Sequence, residues 1–180
     1  RDMDGGLYTY LKEQAAQPGR ATLSMYDFDD EFEPLVGFID ISRVINKVPP
    51  LVARGSTALL DAIGKAITME GEDLAILDEK NRPAHVLVQI ITDGLENASR
   101  EWTKDRVKKL IAQQEKDYGW TIAFLGTKID AFAEAGSMGI SALNSAGYVN
   151  TSRGTKSMYA AAAGAVSMMR AISSVSSPSL

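Results

Sequence analysis

An α/β fold is predicted for this chain: a doubly wound, mostly parallel sheet with an antiparallel edge strand, flanked by helices. Three observations predict it. Strand-like apolar runs alternate with segments of helical period along most of the sequence. The run Val86-Leu87-Val88-Gln89-Ile90-Ile91 is apolar almost throughout, as suits a strand covered on both faces of a parallel sheet. Pro34 falls inside another strand-like run, and proline confines such a strand to an edge.

The elements follow in order. Met3, Leu7, Tyr10 and Leu11 recur at helical spacing until Pro18-Gly19, which predicts a helix from about Asp2 to Gln17. Gly5-Gly6 inside it costs roughly 1 kcal/mol per glycine relative to alanine, so a close approach of backbone to a sheet is expected there. Ala21 to Phe28 reads as a strand, Asp29-Asp30-Glu31 as an acidic turn, and Phe32 to Ile39 as the returning edge strand. After the Pro49-Pro50 loop, Leu59, Leu60, Ile63, Ala66 and Ile67 form one apolar stripe of a helix that ends near Met69. Glu70 to Pro83 is acidic and turn-rich and reads as a surface excursion. Beyond the Val86 to Ile91 strand, Thr103 caps a helix carrying Val107, Leu110 and Ile111. A strand from Trp120 to Leu125, a short helix near Asp130 to Ala135, a short strand at Tyr148-Val149 and a helix from about Thr155 to Ser173 complete the pattern.

Composition narrows the function classes. The 180 residues are 45% hydrophobic and 23% charged, with a formal net charge of −4, which suits one folded domain over residues 1–173 and a low-complexity tail at 174–180. That mild acidity argues against a nucleic-acid partner, because phosphate binding needs clustered Lys and Arg. The absence of cysteine excludes disulfides, thiol catalysis and thiolate zinc sites within this sequence. No apolar run approaches the roughly 20 residues that span a bilayer, so membrane insertion is not expected, and the compartment stays open. Because the sequence opens on Arg1 instead of Met, it is expected to belong to something longer.

Two segments carry the chemistry. Arg54-Gly55-Ser56-Thr57-Ala58-Leu59 opens a helix, and Ile91-Thr92-Asp93-Gly94-Leu95-Glu96-Asn97 follows the apolar strand. In an open parallel sheet the loops after strand ends gather at a crevice, which places Asp93 there. Free N–H groups at the helix start favour an anion, while the Thr57 hydroxyl can turn a lone pair to a cation. Each segment has a plainer reading as well: a helix cap for Gly55-Ser56-Thr57 and a strand-ending turn for Thr92-Asp93-Gly94.

Taken together and in this order, Arg54-Gly55-Ser56-Thr57-Ala58-Leu59 and Thr92-Asp93-Gly94 resemble the second and third motifs of the von Willebrand factor type A domain, which carries a metal-ion-dependent adhesion site. The order of elements resembles that family across nearly the whole chain, in a Rossmann-like arrangement. The resemblance implies a non-enzymatic protein–protein adhesion module. Thr57 and Asp93 would be metal ligands, and Ser56, Gly94 and Glu96 would border the partner surface. The ion would be magnesium, with manganese or calcium as alternatives, and a carboxylate of a protein partner would complete its shell. The family's first motif, Asp-x-Ser-x-Ser, and the central strand before it have no counterpart in this sequence. Metal binding is therefore conditional on ligands ahead of Arg1, since Mg²⁺ takes about six oxygens. Without that strand, the strands Ala21 to Phe28 and Val86 to Ile91 are expected to face a gap. Unpaired backbone groups there would cost on the order of 1 to 3 kcal/mol each if buried.

Two other functions remain open. One is a metal-independent structural module of a larger assembly. The other is a magnesium-dependent phosphatase, because Leu23-Ser24-Met25-Tyr26-Asp27-Phe28-Asp29 resembles the strand and Asp-x-Asp of the haloacid-dehalogenase type. The later acidic pair of that type is missing, with Thr127 where the first carboxylate should stand. His85 at a strand start, Trp102 and Trp120 read as structural, and Met158, Met168 and Met169 with Ala160 to Ala163 read as a core helix face. Gly126-Thr127-Lys128 lacks the glycine spacing of a phosphate loop.

Overall fold

A computed structural model describes residues 2–45, 48–49, 55–127, 130–149 and 151–175. Arg54, Pro50, Lys128 and the tail beyond Val175 lie outside the described residues. The order of elements is α1 (Asp2–Ala15), β1 (Thr22–Phe28), β2 (Phe32–Asp40), α2 (Leu59–Ala75), β3 (Leu87–Thr92), α3 (Lys104–Tyr118), β4 (Thr121–Thr127), α4 (Asp130–Ser137), β5 (Ser145–Tyr148) and α5 (Ser152–Val175). The α/β class read from the sequence holds: β3, β4 and β5 form a parallel sheet in that order, and β1 and β2 form a separate two-stranded sheet. Among the described residues β3 pairs only with β4 and β1 only with β2.

The chain divides into two compact units. One comprises Arg1–Met25, Pro34–Val52 and Asn150–Leu180, and the other Tyr26–Glu33 and Ala53–Val149. The first is built on α1 against α5. Leu7 and Leu11 of α1 are buried, as are Thr155, Met158, Tyr159, Ala162 and Ala163 of α5, a spacing that marks one face of a helix. At Gly6 the helices approach closely, because a Cβ there would run into the Tyr159 ring. The close approach expected at the glycine pair is therefore helix to helix, not helix to sheet, and it needs Gly6 alone, since the space beside Gly5 is open. Buried Gln14 donates from Nε2 to the Ala163 carbonyl at 3.2 Å. Arg170 donates to the carbonyls of Gln14, Gln17, Pro18 and Gly19, and so closes the C-terminal end of α1. Met168 is 70% exposed and Ala160 and Ala161 face solvent, so the expected core face is narrower than the methionine and alanine run suggested. The helix runs on through Ser174 and Val175, two residues into the expected tail.

The second unit holds the larger core. Leu59, Ile63 and Ile67 of α2, Val107 and Ile111 of α3, Ile90 of β3 and Ile122 and Phe124 of β4 pack together with Ala135, Met138 and Ile140. Trp120 is buried in the same cluster and Trp102 packs against it, as the packing role expected of both requires. Thr103 accepts from the Arg106 N–H and Gly119 closes α3 at a φ of 67°, the left-handed conformation that glycine adopts without strain. Two readings need correction. The α2 helix continues to Ala75, so Glu70 to Ala75 is helical and not a loop excursion, with Leu74 packed against the core. In β3 only Ile90 and Thr92 are fully buried, because the strand stands at the edge of its sheet, with one side unpaired among the described residues. No described helix is long and apolar enough to cross a membrane.

Candidate functional site

The site grows from the strand ends of the parallel sheet. Asp93 follows Thr92, the last residue of β3, and its carbonyl accepts a hydrogen bond from the Thr127 hydroxyl at the end of β4, at 2.8 Å. The Thr92 hydroxyl is hydrogen-bonded to the carbonyl and N–H of Gly94, at 3.0 and 3.2 Å, which turns the backbone sharply after the strand. At Gly94 the two motifs meet, for a Cβ there would collide with the Thr57 hydroxyl. Asn97 continues the contact: its side chain accepts from the Thr57 N–H at 2.9 Å, and its own N–H donates to the Thr57 carbonyl at 3.0 Å.

Beyond Asn97 the loop is clamped to the start of α2. One Glu96 carboxylate oxygen accepts from the Leu60 N–H at 2.9 Å and the Ser99 hydroxyl at 2.8 Å, while the other accepts from the N–H groups of Ala98 and Ser99. The Ser99 hydroxyl in turn accepts from the Asp61 N–H. Asp61 answers across the interface, where its carboxylate accepts from the N–H groups of Arg100, Glu101 and Trp102 at 2.7 to 2.9 Å. For both carboxylates burial pushes the pKa up, yet the backbone donors outweigh it and hold each below its ordinary value.

The placement of each expected residue follows. Thr57 and Gly94 are brought together, and Asp93 lies directly beside them. Among the described residues neither the Thr57 hydroxyl nor the Asp93 carboxylate has a hydrogen-bond partner, so both are available. Ser56 is exposed next to Thr57. The Glu96 carboxylate points inward and spends its acceptors on the helix start, so its contribution to this surface is to brace the loop. The free N–H groups expected at the start of α2 are largely taken, because those of Thr57, Ala58, Leu60 and Asp61 all donate within the chain. Anion binding there has little left to use.

The sequence reading missed three residues. Asp61, in the first turn of α2, carried a legible signal, since an acid at that position commonly serves a helix start. Thr127 and Tyr148 carried none. Tyr148 ends β5 in register with Thr127, and burial, followed by the Asp93 charge, pushes its phenol up to about 12. A cleft of about 300 Å³ also lies beside α2, lined by Asp30, Glu31, Phe32, Lys65, Arg100 and Glu101 among others, but neither Thr57 nor Asp93 borders it.

A cation fits these donors in kind but not in number. Thr57 and Asp93 offer hard oxygens, as magnesium-type ions select, yet they supply two of about six. Among the described residues no group of three or more His, Asp or Glu is placed so that it could hold a metal ion. Asp27 and Asp29, the other candidate acids, are occupied locally: Asp27 accepts from the Phe28 N–H and Asp29 from the Glu31 N–H in the hairpin turn.

Fold and site together define an α/β domain whose candidate site sits at the strand ends of a parallel sheet. No protein-family model and no curated protein match the chain. Among solved structures it is similar to proximal thread matrix protein 1 of the mussel byssus, with a TM-score of 0.61 at 14% identity. The match covers 92% of this chain and 41% of that one, so this chain spans less than half the length of that protein. The likeness is one of fold.

Proposed function

We propose that this chain is a non-enzymatic protein–protein interaction module of the von Willebrand type A kind, which engages its partner at the crevice between Thr57 and Asp93. The observation that carries the reading is the contact of Thr57 with Gly94. It brings two segments separated by more than thirty residues into one loop cluster, with a hydroxyl and a carboxylate left available. A divalent cation, most simply magnesium, is held there by Thr57, Asp93, waters, further oxygens from outside this sequence and a carboxylate of the partner. Membership of a larger assembly suits the module, as the byssus matrix protein of similar fold illustrates.

A second reading keeps the fold and drops the metal. It is favoured by the short ligand count and by the inward turn of Glu96. Titration of the full-length protein with Mn²⁺ separates the two. The adhesion reading expects binding that Thr57→Ala and Asp93→Ala each weaken at least tenfold. Binding that neither substitution changes, or no binding at all, leaves the structural module. Phosphatase turnover abolished by Asp27→Asn would overturn both.

A further inference from the structure

The cleft beside α2 belongs wholly to the second unit and takes no part in the proposed contact at Thr57 and Asp93. Its walls are fixed by hydrogen bonds. The turn between β1 and β2 is anchored where the Ala58 N–H donates to the Asp29 carbonyl at 2.6 Å, and the Tyr26 hydroxyl donates to Glu70 of α2 at 2.6 Å. The N–H groups of Arg100 and Glu101 are held in turn on the Asp61 carboxylate. A volume of about 300 Å³ equals a sphere about 8 Å across, at the small end for ligand pockets. Such a cavity is formed before any ligand arrives.

Six charged side chains line it, and four are engaged within the chain. Lys65 pairs with Glu101 at 2.8 Å, Asp61 accepts from three N–H groups, and Glu31 has a partner of its own. The Asp30 carboxylate and the Arg100 guanidinium have no partner among the described residues, and they do not pair with each other. The rest of the lining is apolar: Phe32, half-buried and stacked on Tyr26, with Ala58, Ala62 and Ala98. One free charge of each sign thus borders an apolar hollow.

We propose that this cleft binds a zwitterion of dipeptide size, with its ammonium on Asp30, its carboxylate on the Arg100 guanidinium and its apolar body over Phe32 and the alanines. A guanidinium takes a carboxylate through two parallel hydrogen bonds, which fixes that end of the ligand. A ligand that is only an anion is repelled, because four acids line the cleft against two bases. A single amino acid carries both charges on one carbon and cannot span the hollow, whereas two extended residues reach about 7 Å. Each exposed charge alone would hold a ligand weakly, so capture at two points is what gives selectivity.

Titration of the full-length protein with alanylleucine, its N-acetyl form and its C-terminal amide, followed by amide NMR shifts, tests this. The free dipeptide should bind saturably, with shifts centred on Asp30 and on Ala98 to Glu101, and each capped form should bind roughly tenfold more weakly. Asp30→Asn should abolish the preference over the N-acetyl form and keep the preference over the amide. Arg100→Gln should do the converse. Neither side chain bonds within the described residues, so both variants should melt at the parent temperature. The proposal is overturned by failure of the free dipeptide to bind saturably, by capped forms that bind equally well, or by variants that keep both preferences.

Discussion

The Thr57 hydroxyl lies against the Cα of Gly94, so close that no side chain fits between them. Gly94 has no positive φ, so alanine there meets no backbone strain, and any effect of the substitution comes from the collision with Thr57. Gly94→Ala should cost about 1–3 kcal/mol, in the range of overpacked sites, by thermal or denaturant unfolding. The double substitution Gly94→Ala with Thr57→Ala should recover part of that loss. Equal destabilisation of the single and double variants would show that the two residues do not touch.

The carboxylates of Glu96 and Asp61 make the loop acid-sensitive. Both are held below their ordinary values of 4.5 and 3.8, so the folded state binds protons less readily than the unfolded chain. Their stabilisation is therefore complete above those values and is lost as pH falls through the lower folded ones. Unfolding followed from pH 6 downward should show a loss of stability below about pH 4.5 that is reduced in Glu96→Gln and in Asp61→Asn. At neutral pH each substitution should itself lower stability by about 1–3 kcal/mol, because buried N–H donors lose a charged acceptor.

Adjacent glycines should respond with opposite signs. Gly5→Ala places a methyl group in open space within a helix and should stabilise by about 0.5–1 kcal/mol, as alanine does in helices generally. Gly6→Ala drives its methyl into the Tyr159 ring and should destabilise in spite of the same helical gain. Melting temperatures of the two variants that move in the same direction would refute the close packing of α1 on α5.

Gly64 is pinned by Trp102, whose indole would be struck by any Cβ at that position and is covered on its face by the Arg106 guanidinium, 4.3 Å from the ring centroid. Gly64→Ala should destabilise by about 1–3 kcal/mol. Pairing it with Trp102→Leu should give less than the sum of the two single effects, since the smaller side chain makes room. Strict additivity by denaturant unfolding would contradict the contact.

What could be read in the sequence follows from range. Alternating apolar runs, Pro34 and the Thr103 cap are local signals, and they placed the elements to within a few residues, because period and turn chemistry act over one or two turns. The pairing of Thr57 with Asp93 and Gly94 was legible only as a resemblance. Nothing local shows that Gly6 faces a helix, that Glu96 turns inward, or that Tyr148 ends in register with Thr127, since each depends on which distant segment arrives. The extension of α2 was missed for another reason: Glu70, Glu72 and Asp73 look like a loop by composition, yet a helix carries such an acidic stretch on its outer face while Leu74 packs against the core.

The Arg170 clasp on α1 also sets an order in time. Gln14 and Arg170 stand 156 residues apart, and ribosomes add about 5–20 residues each second, so on the order of 10–30 s of synthesis separates the two. For that interval the first helix waits with its last carbonyls uncovered. The segment from Ala53 to Val149, which supplies most of the second unit, emerges whole in between and can assemble its own core before α5 exists. Synthesis therefore completes the α1–α5 unit only after the segment between them has emerged.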